Sequence, residues 1–173
     1  YASTNCLTGE AAYFTDRGHD KEYLMQIGKA SCALPGMSDV IEVEGVPYAD
    51  GGVADSIPVR RAFEKGCDKV IVIETRRKEF RMKLSKGTKM VAKFSGRKYP
   101  ALKEAMLKRH INYNATLDFI HAKEAEGTVF SIYPEMQEVS RTETDYHKLS
   151  KFYHHGYQEM KKAYPRLQKF MSE

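Results

Sequence analysis

The sequence predicts an α/β fold with a mainly parallel sheet, and three observations carry that expectation. Val46-Pro47-Tyr48-Ala49 reads as a strand ending in the sharp turn Asp50-Gly51-Gly52, a helix opens at Ile57-Pro58, and a further strand follows over residues 69–74. Turn, helix and strand in this order make an α/β unit. Within it, Val70-Ile71-Val72-Ile73 is apolar at every position, as a parallel strand covered on both faces requires. Lastly, a chain of 173 residues with 42% hydrophobic residues, twelve glycines and three cysteines fits one globular core, which excludes disordered, collagen-like and disulfide-scaffold classes.

The elements follow in chain order. Residues 1–14 alternate around the turn signal Thr8-Gly9, so a hairpin with strands near 1–5 and 11–14 is expected. Leu24, Met25, Ile27, Gly28 and Cys32 recur at helical spacing between Lys21 and Ala33, and Pro35-Gly36 ends that run. Val40 to Val46 reads as a strand turning at Glu44-Gly45. The glycines of Asp50-Gly51-Gly52 permit positive φ and close backbone approach. Gly66 closes the helix that Pro58 opens, ahead of the apolar strand. Tyr99-Pro100 precedes a helical pattern in Leu102, Ala105, Met106, Ile111, Ala115, Leu117 and Ile120, closed near Gly127. Residues 128–133 form another short strand, stopped by Pro134. Thr142-x-x-Asp145 has the form of a capping box, and Leu149, Phe152, Tyr153, Tyr157, Met160 and Tyr164 make one core-facing stripe of a final helix ending before Pro165.

Charge and cysteine content narrow the function classes. The longest apolar runs are strand-sized, far short of the roughly 20 residues of a membrane-spanning helix. Cys6, Cys32 and Cys67 are odd in number and lack metal-ligand spacing, which fits a reducing, cytoplasmic setting. The net charge of +5 is unevenly spread: between Arg76 and Lys98 ten basic residues face one acid, leaving the rest of the chain, with 18 basic and 22 acidic residues, at −4.

The segment with most chemical content is Ala30-Ser-Cys-Ala-Leu-Pro-Gly36, then Val46-Pro-Tyr-Ala-Asp-Gly-Gly-Val53, Ile57-Pro58-Val59 and Gly66-Cys-Asp-Lys-Val-Ile-Val-Ile73. Asp-Gly-Gly alone is an ordinary turn. In this order, and preceded by Thr4-Asn5, Thr8-Gly9-Glu10 and Tyr13-Phe14, it resembles the second half of patatin-like phospholipases over roughly residues 1–75. Tyr99-Pro100, Arg109-His110 to Asn114, Ile132-Tyr-Pro134 and the final helix resemble the bacterial branch of that family. The resemblance implies a partial patatin-like three-layer fold over residues 1–139, helices around the sheet, with a C-terminal helical extension over residues 140–173.

It also implies serine-dependent hydrolysis of lipid or other carboxylic esters by a Ser–Asp dyad, in which Asp50 accepts the proton of a serine in Gly-x-Ser-x-Gly. An ionised carboxylate, with an ordinary pKa of about 3.9, is available for this at neutral pH without a histidine. Gly51 and Gly52 would shape the active-site turn, and Ser31 is a candidate to line the acyl pocket. No Gly-x-Ser-x-Gly occurs in the 173 residues: Ser95-Gly96 lacks the first glycine, and Gly28-Lys-Ala-Ser31 has the wrong spacing. The expectation is therefore the aspartate-bearing, C-terminal part of a longer hydrolase, inactive by itself.

Arg76, Arg77, Lys78, Arg81, Lys83 and Lys86 are candidates for an anionic surface, since each cation near such a surface contributes about 1 kcal/mol. Peripheral membrane contact is one expected partnership, a solvated basic face is the plain alternative, and no specific nucleic acid is expected. Neither metal nor other cofactor is implied: His154-His155 point different ways on a helix, and His19, His110, His121 and His147 are isolated. Asp39 and Asp55 read as turn or cap residues. An unpaired sheet edge would favour a homo-oligomer. The competing reading from another class is a non-catalytic basic module, binding a membrane or partner, in which Asp50-Gly51-Gly52 is only a turn.

Overall fold

The computed structural model describes residues 1–15, 20–140 and 142–172, so His19 lies outside the described residues. The architecture is α/β, in two compact units: Tyr1–Pro58 with Met82–Thr116, and Val59–Arg81 with Leu117–Glu173.

The first unit is built on a four-stranded sheet of β1 (Ala2–Asn5), β2 (Ala11–Tyr13), β3 (Ile41–Val43) and β4 (Val46–Asp50), in the order β2-β1-β4-β3. Every pairing in it is antiparallel. The mainly parallel sheet expected from the sequence is thus confined to another part of the chain. The reason is connection length: β1–β2 and β3–β4 are joined by tight turns, which only antiparallel neighbours permit. In the second of these, Glu44 and Gly45 have φ of 52° and 78°, as two-residue hairpin turns demand.

Alternation along β4 sends side chains to two cores. Tyr48 and Val46 pack with Ile27 and Ala30 of α1 (Lys21–Ser31) and with Val43. On the opposite face Ala49 packs with Cys6, with Ala92 of α3 (Lys86–Ser95) and with Leu102 and Met106 of α4 (Pro100–Ala125). Helix, sheet and helices make three layers in this unit. Asp20 caps α1, accepting from the Tyr23 N–H at 2.8 Å, and Ser85 caps α3 by accepting from Thr88 N–H at 3.0 Å; each satisfies an otherwise orphan donor. The basic segment left unassigned in the sequence therefore contains a helix.

The second unit contains α2 (Val59–Glu64), β5 (Val70–Ile73), β6 (Val129–Ile132) and α5 (Tyr146–Ser172). β5 pairs in parallel with β6, in the register Val70↔Val129 to Ile73↔Ile132, rather than with β4. The expected burial of β5 on both faces does not hold: Val72 is buried while Ile71 and Ile73 are 42% and 74% exposed, because a two-stranded sheet has fewer neighbours to cover it. Residues 117–125 of α4 also belong here, and Phe119 receives the edge of Phe63 and the guanidinium of Arg60.

Three expectations about α5 are corrected. The helix continues through Pro165 to Ser172. Its cap is Asp145, whose Oδ1 accepts from His147 N–H at 2.9 Å, and not Thr142. The tyrosines of the supposed core stripe, Tyr153, Tyr157 and Tyr164, are exposed, while Ala163 and Leu167 are the buried residues. The core-facing line is displaced by about a quarter turn from the aromatic one, so reading large aromatic residues as core placed the face wrongly.

Candidate functional site

The site begins with β4 and the turn that ends it. Asp50 is the last residue of the strand and the cap of a short 3₁₀ turn, Gly51–Val53. Its N–H donates to the Ala33 carbonyl at 2.9 Å, and its carbonyl accepts from the Thr4 hydroxyl at 2.8 Å. The side-chain Oδ1 accepts from the Gly52 N–H at 2.7 Å. With the backbone held on both sides and one carboxylate oxygen held by an N–H, the Asp50 side chain has a defined direction. Asp50 is half-buried. It forms no ion pair among the described residues.

Gly51 and Gly52 are needed for close approach and not for positive φ, since neither has one. A Cβ at Gly51 would lie 2.2 Å from the Ala2 carbonyl oxygen of the neighbouring strand. A Cβ at Gly52 would lie 2.9 Å from Asp50 Oδ1 and 3.6 Å from Arg109 Nη2. The turn therefore admits no side chain at either position without moving β1 or the carboxylate.

Four residues that the sequence did not single out for this turn complete it. Thr4, fully buried, uses one hydroxyl to donate to the Asp50 carbonyl and to accept from Ala54 N–H at 3.1 Å. Ser56 donates its hydroxyl to the Gly52 carbonyl at 2.6 Å. Arg109, from α4, donates Nε–H to that same carbonyl at 2.6 Å, with Ser56 Oγ at 3.4 Å. Ser3 is the register partner of Asp50 on β1, and its buried Oγ has no partner among the described residues. Opposed residues of an antiparallel pair project to the same face, so the Ser3 and Asp50 side chains leave the sheet on one side. Thr4 and Ser3 lie on a strand legible in the sequence; nothing in the spacing of Arg109, 57 residues from Gly52, could have announced its role.

The remaining candidates distribute as follows. Ser31 is the final residue of α1, half-buried, two positions before the Ala33 carbonyl that holds Asp50. Asp55, read as a turn or cap residue, donates its N–H to the Gly51 carbonyl at 2.9 Å and accepts from the Tyr13 hydroxyl at 2.6 Å, and Asp39 is exposed. His155 accepts from Glu135 N–H at 3.0 Å, a role in holding the loop before α5. The six cations proposed for an anionic surface divide between the units. In the second unit Arg76 pairs with Glu138, Lys78 with Glu124 at 3.2 Å and Arg81 with Asp118 at 2.9 Å. Arg77 stands near Glu138, whose carboxyl is held below the usual glutamate range first by a backbone hydrogen bond and further by Arg76 and Arg77. Lys83 and Lys86 are exposed in the first unit. All three cysteines are free thiols, and burial pushes that of Cys6 up to about 11, against a smaller opposite influence of Lys98. No described helix is long and apolar enough to cross a membrane.

Comparison with known proteins divides the chain in two. Residues 2–63 match the family model of patatin-like phospholipases, and residues 99–172 match a domain of unknown function, DUF6363. The first match contains the whole Asp50 turn and supports a patatin-like relationship. The uncharacterized protein YjjU of Escherichia coli strain K12 is 38% identical over 56 residues, which is 32% of this chain and 16% of that protein. The chain thus aligns with about a sixth of that relative's length.

Proposed function

We propose that this chain supplies the aspartate of a serine-dependent lipid acyl hydrolase, with the nucleophile carried on polypeptide outside these 173 residues. The observation that carries the reading is the state of the Asp50 carboxylate: Oδ1 is committed to the Gly52 N–H, while Oδ2 has no hydrogen-bond partner among the described residues. In ester hydrolysis the serine hydroxyl attacks the carbonyl carbon, its proton passes to the carboxylate, and that proton then leaves with the departing alcohol. Water releases the acyl group by the reverse use of the same carboxylate. The family match over residues 2–63 supports this reading, and the substrate class it favours is lipid carboxylic esters.

Two measurements test it. The isolated chain is expected to show no turnover of a p-nitrophenyl ester sensitive to serine-directed inhibitors, since loss of a nucleophile costs on the order of 10⁶-fold in serine proteases. In a polypeptide that joins this chain to a Gly-x-Ser-x-Gly segment, Asp50→Asn should lower turnover on the order of 10⁴-fold, the scale seen when a triad aspartate is replaced. Asparagine keeps the Oδ1 acceptor for Gly52 N–H, so the melting temperature should hardly change.

That second measurement also decides a rival reading, which one observation favours: Asp50 caps the 3₁₀ turn, and a cap alone is a sufficient structural use of an aspartate. If Asp50→Asn retains full activity, Asp50-Gly51-Gly52 is a turn and no more. The chain would then be a non-catalytic module.

A further inference from the structure

Helix α3 has two unlike faces. Val91 and Ala92 pack into the core beneath the four-stranded sheet, and Thr88 and Ser95 beside them are half-buried. At the complementary three- and four-residue spacings stand Lys86, Lys89, Met90, Lys93 and Phe94, with Arg97 one position beyond the cap Gly96. All six are exposed, Met90 by 59% and Phe94 by 58%.

Folding alone does not account for this face. The helix contains no acid, and among the described residues no ion pair engages Lys86, Lys89, Lys93 or Arg97, whereas Arg76, Lys78 and Arg81 each have a carboxylate. Lys86 sits in the first turn, where a cation opposes the helix dipole. Met90 and Phe94, one turn apart, form an apolar edge along the cationic row. A row of cations without carboxylate partners, Arg97 lying over the Phe94 ring at 5.1 Å, bordering exposed apolar side chains is the composition of helices that lie in a lipid interface.

We propose that the outer face of α3 docks on an anionic lipid surface, Lys86, Lys89, Lys93 and Arg97 meeting headgroup phosphates and Met90 and Phe94 entering the acyl boundary. A nucleic acid would satisfy the cations but offers Met90 no apolar medium, so charge and apolarity together favour lipid. Of the anionic-surface site expected at Arg76, Arg77, Lys78, Arg81, Lys83 and Lys86, this keeps Lys86 and moves the rest to the helix that Lys86 begins. The inference needs nothing from Asp50 and holds whether or not the chain takes part in ester hydrolysis.

The test is sedimentation of the 173-residue chain with vesicles of phosphatidylcholine, alone or mixed with phosphatidylglycerol, at low and high salt. The expected result is binding to the mixed vesicles only, weakening as salt rises. The double variant Lys89→Ala, Lys93→Ala should bind the mixed vesicles roughly 30-fold more weakly, about fivefold per lysine. Phe94→Ala should lose roughly tenfold. Arg76→Ala and Arg81→Ala should stay within about twofold of the unmodified chain. Absence of binding, equal binding to neutral vesicles, losses that follow Arg76 or Arg81 instead of α3, or tighter binding to duplex DNA than to the mixed vesicles at equal salt would each overturn the proposal. The lipid and salt arms use the unmodified chain and do not depend on how any variant folds.

Discussion

Of the two glycines beside the candidate carboxylate, Gly51 leaves the less room. A methyl group there would stand 2.2 Å from one backbone oxygen of β1, and a strand hydrogen-bonded on both edges cannot step aside as a side chain can. Gly51→Ala is therefore expected to destabilise the chain by more than about 2 kcal/mol, at the upper end of overpacking costs, measured as a fall in the denaturant midpoint. At Asp50 itself the turn was legible as Asp-Gly-Gly, since aspartate followed by two glycines carries its own turn chemistry. Its bracing was not. Thr4, Ser56 and Arg109 reach the turn from 46, 4 and 57 residues away, and their residue types are common enough on any surface to give no local signal.

At the level of elements, proline and lysine misled in instructive ways. Pro165 reads as a stop, yet α5 runs through it, because the residue is exposed, its missing N–H costs one bond to the Lys161 carbonyl, and Ala163 and Leu167 anchor the helix on either side. Proline is about 3 kcal/mol worse than alanine inside a helix, and it recovers roughly 1 kcal/mol by restricting the unfolded chain. Pro165→Ala should thus stabilise by about 2 kcal/mol, read as a rise in thermal midpoint, with no loss of contacts. In the basic segment the helical period was present in Lys86, Lys89, Lys93 and in Val91-Ala92. Ten cations in 23 residues obscured it, since a helix whose outer face is charged and whose inner face is small shows little apolar contrast.

For the chain as a whole, the clearest pH dependence resides in Glu74, just past β5. Burial pushes its carboxyl above the ordinary glutamate range and the nearby Glu124 adds to the effect; its Oε1 is buried without a hydrogen-bond partner among the described residues. The folded state holds this proton more tightly than the unfolded one, so the penalty is absent below the ordinary glutamate pKa of about 4.3 and grows as pH rises through the raised value. Glu74→Gln is expected to raise the denaturant midpoint at neutral pH, a gain that fades as the buffer is taken to about pH 4. An equal gain at both pH values would show that ionisation is not the cause.

Nothing beyond local chain chemistry was needed to locate nearly every strand, the Asp50 turn, the first hairpin, the turn at Glu44-Gly45 and the α/β class, because alternation, turn residues and caps act between positions a few residues apart. Strand partners, the face that α5 buries, the exposure of Ile71 and Ile73 and the grip of Arg109 on Gly52 came from folding alone. Each depends on which distant segment comes to lie alongside, and the free energy of such a contact belongs to the pair, leaving no trace in either stretch of chain by itself.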